Sequence, residues 1–187
     1  MKYLFYGICL LFCLVESRAI AGENLTPLGD FEAPAESLKS FVGSKFPKMS
    51  IVMEELGRNH CVKVEIASIE QRKDGEQGVH ANVIFTLALK PYTDYHFSFD
   101  AKGTAPRFLV ELREMNGRKL PFTMTPAPPL KSSYYEVTGD WKEYNGSFRT
   151  NDSGDLQLFV ILWHNTFYGK MFYAVGDYIL LDNLKVE

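Results

Sequence analysis

The sequence predicts an all-β protein, an antiparallel β-sandwich of jelly-roll type. Hydrophobic and polar residues alternate with a period of two in roughly eight segments that are rich in β-branched and aromatic residues. Residues typical of turns, such as Asn116-Gly117 and Thr138-Gly139-Asp140, separate these segments. No segment with helical periodicity lies between them, which argues against a parallel α/β sheet. Only Ala35–Phe41 has helical character, and it is short.

Alternation defines both the strands and their faces. In Tyr95–Ala101, the residues Tyr95, Phe97 and Phe99 point to one side, whereas His96 and Asp100 point to the other. Each strand therefore has one apolar face toward the core and one more polar face toward the solvent. The predicted strands, in chain order, are Ser50–Glu55, Cys61–Ala67, Val79–Leu89, Tyr95–Ala101, Phe108–Glu114, Trp141–Arg149, Leu156–Trp163 and Tyr178–Glu187.

The strand Leu156–Trp163 differs from the others because both of its alternating sets are largely apolar. One of its faces must be covered by something other than the core. An overlying loop and an aromatic floor for a ligand are both consistent with this pattern.

The first residues are typical of a secretory signal peptide. Lys2 precedes an apolar run, Leu4–Val15, and Ala19-Ile20-Ala21 forms a small-x-small cleavage site. The run is shorter than the roughly 18 to 20 residues that a membrane-spanning helix needs, and we expect no membrane span in the mature chain. We therefore expect a signal peptide over residues 1–21, a single domain over residues 22–187, and an extracellular or periplasmic location.

Charge and motifs exclude several functions. With 20 Lys and Arg against 23 Asp and Glu, the formal net charge is −3, so the attraction that nucleic-acid phosphates require is absent. The mature sequence has no G-x-S-x-G, Gly-rich phosphate loop, H-E-x-x-H or C-x-x-C motif. Its four histidines lack the spacing of metal ligands. We therefore predict neither nucleic-acid binding nor enzymatic activity.

Four segments of the sequence resemble segments of a known family. They are Asn24–Glu32 (NLTPLGDFE), Leu89–Gly103 (LKPYTDYHFSFDAKG), Thr138–Tyr144 (TGDWKEY) and Gly176–Val186 (GDYILLDNLKV). In series they resemble the jelly-roll carbohydrate-binding modules of families four, nine and twenty-two, which are galactose-binding-like β-sandwiches. Leu28 and Tyr92 depart from the family pattern, as does Asp100, which stands where related modules often carry a Trp.

The resemblance implies a secreted, non-catalytic domain that binds a poly- or oligosaccharide on one sheet face and its bordering loops. Apolar sugar faces stack on aromatic rings, and sugar hydroxyls pair with polar side chains. Because many such modules are attached to a glycoside hydrolase, which is absent here, we expect this chain to act alone or beside separate glycoside hydrolases. The predicted site comprises the outward residues His96, Asp100, Arg107, Glu111, Gln157 and Trp163, with Tyr134, Tyr135 and Tyr168 at its rim.

An alternative function is a cell-surface β-sandwich module for adhesion or structure, which would use the same fold to bind a protein partner. Asp100, in place of an aromatic residue, favours this alternative. Arg107, Gln157 and Trp163 favour sugar binding. Fold resemblance alone does not decide between the two.

The resemblance also implies a structural Ca²⁺ ion where the first and last strands meet. Glu32 and Asp182 would supply carboxylates, and carbonyl groups of Asp30 and of the Gly57–His60 turn would complete the shell of about six to eight oxygens. In the alternative interpretation, Glu32 and Asp182 are ordinary carboxylates at strand ends.

Cleavage of the signal peptide is expected between Ala21 and Gly22, after the small-x-small site. Mass spectrometry of the exported protein should show a mature chain that starts at Gly22. A chain that retains Met1, or one that starts well inside Asn24–Glu32, would contradict this prediction.

Overall fold

The structure is a computed structural model that describes residues 60–71, 75–126, 134–166 and 169–187, together with the backbone of residues 47–53. Within these residues, no helix has the length and apolar character needed to cross a membrane. The described part contains these strands: β1 (Pro47–Met53), β2 (His60–Ile66), β3 (Glu70–Gln71), β4 (Gln77–Ala88), β5 (Asp94–Gly103), β6 (Arg107–Glu114), β7 (Lys119–Leu120), β8 (Phe122–Thr125), β9 (Tyr134–Glu136), β10 (Lys142–Arg149), β11 (Asp155–Asn165) and β12 (Tyr178–Val186).

These strands form two antiparallel sheets, which confirms the predicted β-sandwich. Sheet I has the strand order β1-β2-β12-β5-β10-β8. Sheet II has the order β3-β4-β11-β6-β7, and β9 also pairs with β6. Neighbours in each sheet are often distant in sequence, as in β12 between β2 and β5. Such crossing connections are typical of Greek-key and jelly-roll sandwiches.

Aromatic rings join the two sheets in the core. Phe108 of β6 meets Tyr144 of β10 edge to face, with 5.0 Å between ring centroids, and Phe99 of β5 stacks on Tyr144 at 5.5 Å. The Tyr144 hydroxyl donates a hydrogen bond to the carbonyl oxygen of Glu136 in β9. Burial raises the pKa of Tyr144 to about 12, so this hydroxyl remains a donor at neutral pH. Each such ring pair contributes about 0.5 to 1.5 kcal/mol beyond its buried area.

Each of the eight predicted strands overlaps an observed strand, and the ends differ by at most three residues. The prediction missed four short strands, namely β3, β7, β8 and β9. Strands of two to four residues are too short for an alternation pattern to identify. The predicted helical segment Ala35–Phe41 lies outside the described residues.

The chain leaves sheet I after β5 and enters sheet II at β6. Gly103, the last residue of β5, approaches the Tyr178 backbone so closely that an added Cβ would lie 2.2 Å from the Tyr178 carbonyl oxygen. The backbone N–H groups of Thr104 and Ala105 both donate to that same oxygen. This tight crossing places β5 and β6 in different sheets although they are consecutive in sequence.

A buried carboxylate holds together two turns at one end of the sandwich. Glu114, the last residue of β6, is 3% exposed and accepts hydrogen bonds from Arg118 in the β6–β7 turn. Its side chain also accepts from the side-chain amide of Asn151, at 3.0 Å, in the β10–β11 connection. These hydrogen bonds, the one from Arg118 above all, lower the pKa of Glu114 from 4.5 to about 2.

Because its pKa is lowered in the folded state, Glu114 should make stability depend on pH in the acidic range. The unfolded chain binds a proton near pH 4.5 whereas the folded chain resists it, so this contribution is full above pH 4.5 and is lost as the pH falls towards 2. Urea unfolding of wild type and of Glu114→Gln at pH 7 and pH 3 checks this. The variant should be less stable at pH 7, and the difference between the two proteins should shrink at pH 3. A difference that stays constant with pH would refute the role of the ionised carboxylate.

Candidate functional site

The outer face of sheet II combines apolar and charged side chains on two neighbouring strands. In β11, Leu156, Leu158, Val160 and Leu162 belong to the core between the sheets. The alternate residues must therefore point outward. They are Gln157, Phe159, Ile161 and Trp163, which stand beside the outward residues Leu109, Glu111 and Arg113 of β6.

A groove of about 400 Å³ crosses this outer face. We call it the outer groove. Its apolar part comes from Ile161 and Leu109, which are partners in the β11–β6 register, and from Trp163, whose partner in β4 is His80. The lining residues are His80, Leu109, Glu111, Arg113, Lys119, Ile161 and Trp163. The groove thus offers an apolar floor with polar groups around it, a combination that suits a ligand with both kinds of surface.

Three charged side chains form an ion-pair network in the outer groove. One oxygen of Glu111 accepts from the Arg113 Nε at 2.7 Å and from its Nη2, and the other oxygen accepts from Lys119 Nζ. Burial alone would raise the pKa of Glu111, but the hydrogen bonds from Lys119 and Arg113 lower it overall. The Arg113 guanidinium also lies over the Phe159 ring, 4.7 Å from its centroid. This contact leaves Phe159 only 7% exposed although it points away from the core.

Aromatic rings enclose Arg107 at the other end of the same face. The guanidinium carbon lies 3.8 Å from the ring centroids of both Tyr134 and Phe172. The Arg107 Nη2 is 3.3 Å from His164 Nδ1, and Phe172 is 51% exposed. Cation–π contacts on both sides fix the guanidinium plane. Arg107 therefore supports the aromatic side chains at this end rather than projecting freely into the solvent.

Tyr134 connects this aromatic cluster to Trp163. Its hydroxyl donates a hydrogen bond to the Trp163 carbonyl oxygen at 3.2 Å. Burial raises the pKa of Tyr134 against the opposing effect of Arg107, so the hydroxyl is a donor at neutral pH. The hydrogen bond fixes the backbone of β11 at the position where Trp163 enters the outer groove.

The structure brings together five of the residues predicted for the site. Their backbones lie in β6, β9 and β11 of sheet II, and alternation places their side chains on its outer face. They are Arg107, Glu111, Tyr134, Gln157 and Trp163.

His96 and Asp100 do not join them, and the prediction of one common face was wrong for these two residues. Both lie in β5 of sheet I and point away from the core. Alternation identifies the more polar face of a strand, but it does not identify the sheet that contains the strand. His96 lines a separate trough of about 440 Å³ on the outside of sheet I, whose other side chains are polar apart from Phe97.

Tyr135 is not a rim residue, because it is 7% exposed and packs against Phe108 in the core at 5.5 Å. Both tyrosines were predicted at the rim of the site, whereas Tyr134 and Tyr135 are consecutive residues of β9. Consecutive residues of a strand point to opposite sides, so only one of the two can face outward. Tyr168, also predicted at the rim, lies outside the described residues.

Sequence reasoning missed several residues of the outer groove. Leu109 and Ile161 are apolar residues on outward positions, a signal visible in the alternation. Lys119 could have been found from Asn116-Gly117, since Asn-Gly is a strong hairpin signal and implies a returning strand. That strand is β7, in which Lys119 is the partner of Arg113.

Of the residues predicted to bind calcium through their own side chains, only Asp182 lies within the part of the chain that the structure describes. It is 2% exposed in β12, and its register partner in β5 is Asp100. Asn183 donates to both residues, from its backbone N–H to Asp182 Oδ1 and from its side-chain amide to Asp100 Oδ2 at 2.8 Å. The structure therefore pairs two carboxylates across the strands at this point. Asp30 and Glu32 lie outside the described residues, as does most of the Gly57–His60 turn.

The profile of the carbohydrate binding domain family CBM_4_9 matches residues 29–166. The chain belongs to this family, which confirms the resemblance found in the sequence. No curated protein matches the chain at a significant level.

Similar solved structures include TmCBM61 in complex with β-1,4-galactotriose, with 14% identity over 89% of this chain and 99% of that one, and a TM-score of 0.57. The enzymatically active domain of tailspike protein 4 of bacteriophage CBA120 is 15% identical over 87% of this chain and 21% of that one, with a TM-score of 0.51. The CBM22-1 xylan-binding domain of Paenibacillus barcinonensis Xyn10C is 14% identical over 79% and 84%, with a TM-score of 0.48. At these identities the similarity concerns the fold alone.

Proposed function

We propose that this chain is a secreted, non-catalytic protein that binds a poly- or oligosaccharide in the outer groove of sheet II. The location of the site is inferred from the residues that line this groove. Trp163 lines a groove whose floor is the apolar pair Ile161 and Leu109 and whose other lining residues are polar or charged. A sugar ring has the same two kinds of surface, because its C–H face stacks on aromatic rings and its hydroxyls form hydrogen bonds.

The trough on sheet I is a weaker candidate for the same function. Its lining side chains are mostly hydroxyls, amides and charged groups, such as Thr123, Asn145, Ser147 and Lys185. It offers hydrogen bonds to a ligand, but among its lining residues in the described chain the only Phe, Tyr or Trp is Phe97, which is 2% exposed. Stacking supplies much of the affinity in contacts of this kind. The outer groove is therefore the proposed site.

The same arrangement supports a binding role without catalysis. The acid of the outer groove, Glu111, is held as an ionised carboxylate by Lys119 and Arg113. A general acid needs a carboxyl group with a raised pKa, which is the opposite condition. Secretion is proposed from the N-terminal sequence pattern, and a role beside separate glycoside hydrolases from the relationship to carbohydrate-binding modules.

Replacement of Trp163 provides the direct test of the site. Affinity gel electrophoresis against a panel of polysaccharides, including β-1,4-galactan and xylan, would first identify a glycan that retards the wild-type protein. Trp163→Ala should then weaken binding several-fold, because lost stacking costs about 1 kcal/mol or more.

The chain has only one other tryptophan, Trp141, which is half-buried and lies outside the outer groove. Trp141→Ala is therefore the matched control and should bind like the wild type. Equal affinity of a folded Trp163→Ala variant would exclude the outer groove. If no glycan on the panel retards the wild-type protein, sugar binding itself is contradicted and the protein-binding alternative is favoured.

We also propose a structural Ca²⁺ ion at the end of the chain, held by Asp182 together with Glu32 and the carbonyl of Asp30. Asp182 fits such a role, because it is 2% exposed and has Asp100 as its cross-strand partner, and a cation beside two neighbouring carboxylates reduces their mutual repulsion. Carboxylate and carbonyl oxygens are the ligands that Ca²⁺ prefers. When bound, the ion would neutralise these acids and tie the N-terminal segment to β12.

Removal of Ca²⁺ should lower the thermal stability of the protein. An ion present at about 100 times its dissociation constant stabilises the fold by about 2.7 kcal/mol, so a chelator should lower the melting temperature by roughly 5 to 10 °C. Calorimetry with calcium and with chelator checks this, and Asp182→Asn should abolish the difference. Identical melting temperatures in the two conditions would contradict the metal site.

A further inference from the structure

The outer groove contains more cationic than anionic groups. Arg113 and Lys119 are its two fixed cations, and Glu111 is its one carboxylate among the lining residues of the described chain. The whole protein, in contrast, has a formal net charge of −3. The positive character of the groove is therefore a local property and does not follow from the overall composition.

The cations and the carboxylate of the groove also differ in how many of their hydrogen bonds are already formed. Both oxygens of Glu111 already accept from cations, Oε2 from Arg113 and Oε1 from Lys119. Lys119 has three N–H donors, and its side chain is 63% exposed. The charged edge of the groove therefore offers more hydrogen-bond donors than unoccupied acceptors to a ligand. A ligand group that only accepts hydrogen bonds and carries negative charge fits this edge best.

Among the described residues, no acidic side chain other than Glu111 lines the groove. Glu70, Glu136 and Asp155 lie at strand ends in β3, β9 and β11, and none of them lines the groove. An anionic group against Lys119 therefore meets one carboxylate, Glu111, which is already neutralised by its two partners.

We propose that the outer groove selects an anionic glycan, with a uronate carboxylate or a sulfate ester lying against Lys119 and Arg113. This inference rests on the proposed function, since it specifies the ligand of the same groove. Both groups share one chemistry, an anion with several acceptor oxygens attached to a sugar ring.

The spacing along the strands indicates a chain of sugars as the ligand. The Arg113 and Lys119 cations both contact the carboxylate of Glu111, whose register partner Phe159 precedes Trp163 by four residues, or about 13 Å of extended strand. A single sugar ring cannot stack on Trp163 and place its acidic group against Lys119. Different residues of one oligosaccharide would make the two contacts.

Matched pairs of polymers test the selectivity, with the exported full-length protein as the sample. Polygalacturonate is compared with its methyl ester, and a sulfated galactan with its chemically desulfated form, by affinity gel electrophoresis and by calorimetry. Within each pair the sugar backbone is the same, and the acidic group is masked as an ester or removed. In at least one pair the charged member should bind about three times more tightly or better than the neutral one, and added salt should reduce the difference.

The pair that shows the preference identifies the acidic group. Preference for polygalacturonate alone indicates a carboxylate, and preference for the sulfated galactan alone indicates a sulfate ester. Lys119→Gln should remove most of the preference, so that this variant binds the charged and the neutral member of the pair with nearly equal affinity. Lys63→Gln is the matched control, because Lys63 also pairs with a glutamate, Glu65, but lies in β2 of sheet I.

The outcomes separate this inference from the proposed function. Equal binding of both members of each pair, with loss of both on Trp163→Ala, would overturn the anionic preference and leave sugar binding in place. A preference that survives Lys119→Gln, or that disappears in Lys63→Gln, would also overturn it. Failure of every polymer to bind, charged or neutral, would overturn the proposed function itself.

Discussion

The alternation of side chains along β6 and β11, fixed by burial on one side, is the constraint on which the site depends. Phe108, Val110 and Leu112 point into the core, where Phe108 meets Tyr144 of the opposite sheet at 5.0 Å. The residues between them must then point outward, and the same holds for Ile161 and Trp163 of β11. In β6, a register slip of one residue would place Glu111 and Arg113 in the core and the apolar set in solvent, at a cost that the fold cannot sustain. The core thus determines which side chains the outer face can present.

The outer face is itself held in place by contacts that do not involve the core. Glu111, Arg113 and Lys119 restrain one another through ion pairs, and Arg113 also covers Phe159. At the other end, Arg107 lies between two aromatic rings. Exposed ion pairs contribute little to stability, so the effect of this network is chiefly on geometry. Side chains that are already ordered lose less entropy when a ligand binds, and the groove is therefore partly preorganised.

The sequence allowed the fold to be predicted because its signals are local. Alternation, turn residues and four sequence segments in series were sufficient for the eight longer strands and the family, but not for the four short strands. The site was only half predictable, because its assembly depends on which strands become neighbours. His96 shows the same alternation as Glu111, yet the crossing after Gly103 places the two residues in different sheets. Lys119 was missed because it lies in a strand of two residues, whose presence depends on pairing with β6.

The proposed function places a glycan in the outer groove of sheet II and not in the trough of sheet I. The most direct measurement is chemical-shift mapping by NMR, in which an oligosaccharide of the glycan that binds is titrated into isotope-labelled protein. We expect the largest shifts at the indole N–H of Trp163 and at the backbone amides of Leu109, Glu111 and Ile161. Signals of the trough, such as those of Ser147, should stay unchanged. Shifts confined to the residues of the trough would show that the glycan does not bind in the outer groove.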